Sequence, residues 1–319
     1  MQRNLLIAGS CALILVALFL VFDRKTESLK LGGGPEGGTF TVFADGIVEL
    51  LRAEDPTLQI VVMNSGGSVS NLKMVDSGRV TMALAYAGDA YLGWRGQLSK
   101  IGTPMENVRA LGRIYGSTAH LVVSHDSTIQ TPDDLAFRRV AVGSSGSGAA
   151  HSAERYFRIL GIWESITPVY MGYDMATAEL VNGRVEAIWQ LVGAPSTSIS
   201  ALNDIFPIRL INLTLAARKK YFFVKYPFYT ETLIPPETYR NQDQGVETFQ
   251  DNSLLVANTE TDPKLISLSL RLLFSPEGIA LLRKAHPAAQ DLDINKGLQG
   301  VRIPLHPAAE SFWREQGLL

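Results

Sequence analysis

Cysteine is nearly absent. Cys11 is the only one in 319 residues, and it sits inside an N-terminal apolar run. The rest of the chain therefore holds no disulfide and no thiolate metal site. An excess of either charge is missing too. Twenty-nine basic residues face 31 acidic ones, a formal net charge of −2. Without residues 1–27 the chain loses Arg3, Arg24 and Lys25 with Asp23 and Glu27, which leaves −3. No basic excess remains to neutralise phosphates, so nucleic acid is excluded as a partner. Signs of bulk disorder are also lacking. Hydrophobic residues make up 46% of the chain, enough to build cores for two domains of ordinary size.

One apolar stretch is long. Residues 5–22 are interrupted only by Gly9 and Ser10 and are preceded by Arg3. That length lies at the short end of what spans a bilayer. A cleaved secretory signal normally closes on small residues, whereas this run closes on Leu20-Val21-Phe22-Asp23. A lipoprotein signal would use Ala8-Gly9-Ser10-Cys11, but the residue three before the cysteine is not leucine and most of the run follows it. The pattern predicts an uncleaved signal-anchor within residues 1–27, with a cleaved signal as the alternative. Both place residues 28–319 outside the cytoplasm by the positive-inside rule.

The chain writes one phrase twice. Ser77-Gly78-Arg79-Val80-Thr81-Met82-Ala83-Leu84 leads to Gly88, and Asn182-Gly183-Arg184-Val185-Glu186-Ala187-Ile188-Trp189 leads to Gly193. Each lies downstream of a glycine-rich loop, residues 32–39 and 143–150. Two copies of strand, glycine loop, helix and strand predict two similar α/β lobes, each a mostly parallel sheet flanked by helices. Loops at the carboxyl ends of such strands form ligand crevices, and two lobes can face each other across one cleft. Lobe 1 is expected over residues 28–117 and 216–319, lobe 2 over 118–215.

Local signals fill in the elements. Residues 28–31 start a strand. Thr39 is read as the N-cap of a helix carrying Phe43, Ile47, Leu50 and Leu51. Residues 58–63 form a second strand, and Ser68 is read as the cap of a helix that Gly78 ends. Residues 108–115 and 119–124 read as two extended segments. Thr131-Pro132-Asp133-Asp134 starts a helix. Residues 226–244, rich in proline and aromatics, predict an irregular segment. Residues 254–257 read as a strand, residues 265–274 as a helix, and the tail as a helix carrying Phe312 and Trp313.

The glycine loops invite several chemistries. Gly32-x-Gly34-x-x-Gly37 fits the dinucleotide fingerprint, but Met63-Asn64-Ser65 offers no carboxylate where a ribose would be held. A phosphate loop needs lysine where Gly38 stands. Gly143-Ser144-Ser145-Gly146-Ser147-Gly148 does not match Gly-x-Ser-x-Gly, and nothing places a base beside a serine. The remaining reading is reversible capture. Glycines bring backbone N–H groups close to a ligand, and helix N-termini favour an anion. Plain strand–helix turns would use the same residues. The expected ligand site comprises Gly37, Gly38, Thr39 and Phe40; Ser65, Gly67 and Ser68; and Ser144, Ser145, Ser147 and Gly148. Tyr86, Trp189 and Gln190 are expected to shape the rest. No catalytic residue, metal ligand or cofactor is expected.

Several stretches resemble the TAXI-family solute-binding proteins of TRAP transporters. They are Gly32-Gly33-Gly34-Pro35-Glu36-Gly37-Gly38-Thr39-Phe40, Asn64-Ser65-Gly66-Gly67-Ser68-Val69-Ser70-Asn71-Leu72, His120-Leu121-Val122-Val123, and Val142 to Gly148. Tyr226-Pro227-Phe228-Tyr229, Ile234-Pro235-Pro236-Glu237-Thr238-Tyr239 and the tail from Ile303-Pro304-Leu305-His306-Pro307 to Leu319 are similar to the family's C-terminal half. The resemblance runs in one order from about residue 29 to the last residue. It implies a type II periplasmic-binding-protein clamshell that hands an organic acid or amino acid to the membrane subunits of a TRAP permease. The chain departs from the family pattern at Pro35-Glu36, Tyr86-Ala87-Gly88, Ala149-Ala150 and Trp189-Gln190-Leu191-Val192-Gly193. Glu36 facing the cleft would oppose an anion. A tethered ligand sensor and an enzyme using the glycine loops are the alternative functions.

Overall fold

The computed structural model describes residues 28–35, 38–98 and 102–319. The apolar run at residues 5–22, Cys11, Glu36 and Gly37 lie outside the described residues. The chain opens with β1 (Leu29–Gly32), α1 (Thr39–Glu54), β2 (Ile60–Met63), α2 (Ser68–Asp76), β3 (Met82–Tyr86) and α3 (Ala87–Trp94). β1 pairs in parallel with β2 and β3. On α1, Phe43, Ile47 and Leu51 recur at intervals of four and are buried with Leu31, Ile60 and Met82 in one cluster. Next comes β4 (Val108–Ser124), a single 17-residue strand where the sequence suggested two segments. The hydrophobic pattern breaks at Gly116-Ser117-Thr118, but pairing with a neighbouring strand continues through all three.

The second copy of the pattern is β5 (Arg139–Gly143), α4 (Gly148–Leu160), β6 (Thr167–Tyr170), α5 (Tyr173–Val181) and β7 (Ala187–Val192). β5 pairs in parallel with β6 and β7, as β1 does with β2 and β3. The two repeated phrases fold as one turn. Gly78 N–H donates to Val75 C=O at 3.0 Å and Arg79 N–H to Met74 C=O at 2.8 Å. Gly183 N–H donates to Leu180 C=O at 3.1 Å and Arg184 N–H to Glu179 C=O at 2.9 Å. Both glycines hold positive φ, 70° and 67°, the left-handed conformation that closes a helix.

The chain continues through α6 (Thr197–Ile205), β8 (Ile208–Leu210), α7 (Thr214–Lys219), α8 (Phe222–Lys225), β9 (Thr230–Ile234), β10 (Val246–Asn258), α9 (Pro263–Leu273), α10 (Pro276–Ala285) and α11 (Pro307–Glu315). The segment expected to be irregular thus contains β9, and the short strand expected at residues 254–257 is the end of a 13-residue strand. The sheet runs β2-β1-β3-β10-β4-β7-β5-β6, with β8 beside β4 and β9 beside β10. Two parallel three-stranded blocks are therefore joined through the antiparallel pair β4 and β10. Ile234 and Tyr239 pack in a cluster with Val122, Ile188 and Leu202, so residues near 230–246 adhere to the β5–β7 block. The mixed α/β sheet with helices on its faces agrees with the expected fold class. Among the described residues no single helix is long and apolar enough to cross a membrane.

Candidate functional site

Both glycine loops open on one pocket. Gly38, Thr39 and Phe40 at the start of α1, Gly67 and Ser68 at the start of α2, and Ser144, Ser147 and Gly148 before and at the start of α4 line it. Gly67 sits against Pro35 and Ser147: a Cβ there would meet them at 3.7 and 3.8 Å. Tyr86, the residue just before α3, and Tyr173, the first residue of α5, complete the convergence. Five helices thus begin at one point.

The helix starts are barer than the sequence suggested. The N-caps of α1 and α2 are Gly38 and Gly67, and neither helix receives a side-chain cap; Thr39 and Ser68 are the first helical residues instead. α3 and α5 also lack side-chain caps. Only α4 among these five is capped, by Ser147 Oγ accepting from Ala150 N–H at 3.0 Å. The leading N–H groups of a helix have no intrahelical acceptors, and each N-terminus carries roughly half a positive charge. None of the described residues lining the pocket is Lys, Arg, His, Asp or Glu. Among these described residues the partial positive charge is that of the backbone N–H groups.

Hydroxyls supply the remaining donors. Tyr115 is fully buried and lines the pocket, with the hydroxyls of Ser253, Ser117 and Thr39 around its Oη. Burial pushes Tyr173 up to about 12, and Tyr86 and Tyr115 also stand well above 10 for the same reason. All three remain protonated at neutral pH. Tyr86 and Tyr173 both donate to Leu191 C=O, Tyr173 at 3.2 Å. Tyr86 and Leu191 are equivalent positions of the two phrases, so the copies touch across the pocket. Ser68 Oγ accepts from Tyr86 N–H at 3.0 Å. Asn71, buried one turn into α2, donates to Gly33 C=O at 2.5 Å and Leu84 C=O at 2.7 Å, which fixes the first loop against β3. The space enclosed is about 20 Å³, room for roughly one water molecule. A ligand of several heavy atoms needs the walls to part.

Some expected residues lie elsewhere. Trp189 is fully buried, donates from Nε1 to Ser152 Oγ at 2.9 Å, and packs on Tyr156, Phe157 and Phe249. Gln190 is fully buried and bonded to Ser196 and Ser198 at 2.7 and 2.9 Å. Neither lines the pocket; Leu191 and Val192, one step further along β7, do. Ser65 bridges Gly33 C=O and Gly67 N–H, shaping the loop. Ser145 is exposed. Tyr115, Tyr173 and Ala149 were not anticipated. Tyr173 follows Gly172 at a helix start, a signal the sequence did carry; Tyr115 sits mid-strand with none.

The mixed sheet, with its pocket at the loop ends of two parallel blocks, has the fold seen in two-lobed periplasmic binding proteins. The chain belongs to the NMT1-like family, whose match spans residues 31–317. The fold is similar to that of MatC from Rhodopseudomonas palustris with bound malate, at 13% identity over 91% of this chain and 99% of that one, TM-score 0.57. It is similar to the alkanesulfonate-binding protein SsuA from Xanthomonas axonopodis pv. citri bound to MOPS, at 15% identity over 92% and 94%, TM-score 0.51. A putative L-cystine ABC transporter protein from Listeria monocytogenes matches at 13% identity over 84% and 99%, TM-score 0.52. At such identities the likeness is one of fold.

Proposed function

We propose that the protein is an extracytoplasmic solute-binding protein of the TAXI kind, which captures a small organic acid or amino acid between two lobes and passes it to the membrane subunits of a TRAP permease. One observation carries this: five helix N-termini meet at one pocket lined by hydroxyls and backbone, with no basic side chain to serve another purpose. Such a site holds a carboxylate by N–H and O–H donors, and hydrogen bonds to a charged group contribute about 1.5–3 kcal/mol each. Binding without catalysis is the function we assign to it. MatC carries malate and SsuA carries MOPS, both oxyanions, which supports the class of ligand. The lobes would be residues 28–117 with 250–319, and 118–249, because residues 230–246 pack on the β5–β7 block. β4 and β10 cross between them as the hinge. Ligand touching both lobes favours the closed form by its differential affinity.

A tethered sensor is the second reading, favoured by the apolar run at residues 5–22. A thermal-shift screen of the purified chain against organic acids, amino acids, their amides and aliphatic sulfonates tests the binding function. A carboxylate that raises Tm in a concentration-dependent way is expected. Stabilisation only by amides would overturn the anion site.

A further inference from the structure

Behind the pocket lies a buried charge cluster. Asp89, in the first turn of α3, is fully buried, and its Oδ1 accepts from Arg155 Nη2 at 2.6 Å. Arg155 belongs to α4, on the opposite block, and is buried as well. Its Nη1 donates to Tyr229 Oη at 2.9 Å, and its guanidinium lies 5.9 Å from the Phe228 ring. Asp251 of β10 accepts from Gly88 N–H with both oxygens at 3.2 Å. Burial, and then the neighbouring Asp89, push Asp251 well above the usual carboxylate range. Asp89 Oδ2 has no hydrogen-bond partner and lies against Gly148; a Cβ on Gly148 would stand 2.5 Å from it and 2.5 Å from Tyr86 Cδ2.

We propose that the Asp89–Arg155 pair is a clasp that registers α3 against α4 at the ligand site without touching ligand, and that losing one partner, though not both, tips the cleft toward the open form. The inference rests on the two-lobed reading above. The two helices begin at the pocket, at Ala87 and Gly148, and the pair ties the first turn of α3 to a point two turns into α4, which registers Tyr86 against Ser147 and Leu191. A buried ion pair is close to neutral overall, because desolvation offsets attraction, but removing one partner leaves a buried charge uncompensated. In a single rigid body that penalty appears as lost stability. In a hinged one it is relieved by opening, which hydrates the orphaned carboxylate. A closed state held by a nearly neutral pair stays able to open, and that is what a carrier needs.

The test is an interlobe distance, measured without ligand in the full chain. Nitroxides are placed at Val61→Cys on β2 and Met175→Cys on α5, both exposed, in a Cys11→Ser background. Arg155→Met is expected to shift the closed-to-open ratio by roughly a hundredfold or more toward a longer distance. Asp89→Asn combined with Arg155→Met is expected to regain most of the short-distance population, since the Asp89 charge left unpaired by the single change is then gone. Gly148→Val is the control: its side chain would be wedged between Asp89 and Tyr86 and forces opening whatever the clasp does. If Gly148→Val lengthens the distance and Arg155→Met leaves it unchanged, the clasp is wrong and the clamshell stands. If neither variant moves it, the two-lobed reading falls and the clasp with it. Loss of the folded signal in Arg155→Met without recovery in the double variant would also overturn the proposal, as a purely structural role.

Discussion

Tyr115 lines the pocket with its hydroxyl beside Ser117, Ser253 and Thr39. No bond from that hydroxyl is well formed, so Tyr115→Phe is expected to change stability by no more than roughly 0.5–1.5 kcal/mol, that of an ordinary hydrogen bond. The same change should weaken the ligand found in the screen by about threefold to tenfold, on the 0.5–1.5 kcal/mol of an ordinary hydrogen bond. Calorimetry together with urea unfolding separates the two effects; a drop in stability with unchanged affinity would remove Tyr115 from the site. Ser68→Ala behaves differently. It strips the acceptor from Tyr86 N–H and should lower both stability and affinity, the affinity by roughly threefold to a hundredfold. His120 gives a pH dependence. Burial lowers its pKa from 6.5 to about 4, with Tyr239 Oη on Nε2 and Thr118 C=O on Nδ1. The folded state keeps the ring neutral while the unfolded chain takes up a proton below 6.5. Its contribution is therefore fully present above pH 6.5 and is lost as pH falls toward about 4, at up to about 1.4 kcal/mol per pH unit. His286 and His306 are lowered by burial too and act in the same direction. Urea unfolding from pH 7 to 4 should show this slope, flatter in His120→Gln.

At the scale of elements, helix starts divide into structural and ligand-facing ones. Ser147 on α4 and Ser275 on α10 cap in the same way, each Oγ accepting from an N–H three residues on at 3.0 Å. Either serine changed to alanine should cost about 0.5–2 kcal/mol of stability. Only Ser147→Ala should also weaken ligand binding, because only that cap lines the pocket. Equal affinity in the two variants would mean that α4 contributes packing and nothing to recognition. Gly67, before α2, holds φ at 101°, a conformation that favours glycine, whereas Gly38, before α1, does not. A serine or aspartate at position 38 would satisfy N–H groups internally and compete with the proposed anionic ligand.

At the scale of the whole molecule, β4 and β10 are the strands shared by both blocks, paired from Gln250–Thr118 to Asn258–Val108. Two register shifts, at Ser253–Leu254 and Leu255–Val256, interrupt that ladder. The N-terminal run adds a prediction outside the described residues: residues 5–22 stay attached, so N-terminal sequencing of the membrane fraction should begin ahead of them. A mature start between about residues 20 and 30 would leave a released binding protein and weaken the sensor reading.

The repeated phrase, the two glycine loops and the helix after each were legible in the sequence, because a tight turn at positive φ and an amphipathic period leave local marks. So was the meeting of the loops at one pocket, since parallel strands put their carboxyl ends on one edge. What tertiary structure decided was depth and facing. Trp189, Gln190 and Leu191 are consecutive on a strand buried throughout. In such a strand composition does not tell which side meets the ligand. Packing gave Trp189 to the aromatic core and the Leu191 carbonyl to the pocket. The cap positions moved by one residue for a similar reason: threonine and glycine both suit a helix start, and only the turn's geometry chooses between them. Asp89 and Arg155 lie 66 positions apart and carry no shared local signal. Their pairing follows from how α3 packs against α4, which no short stretch of sequence encodes.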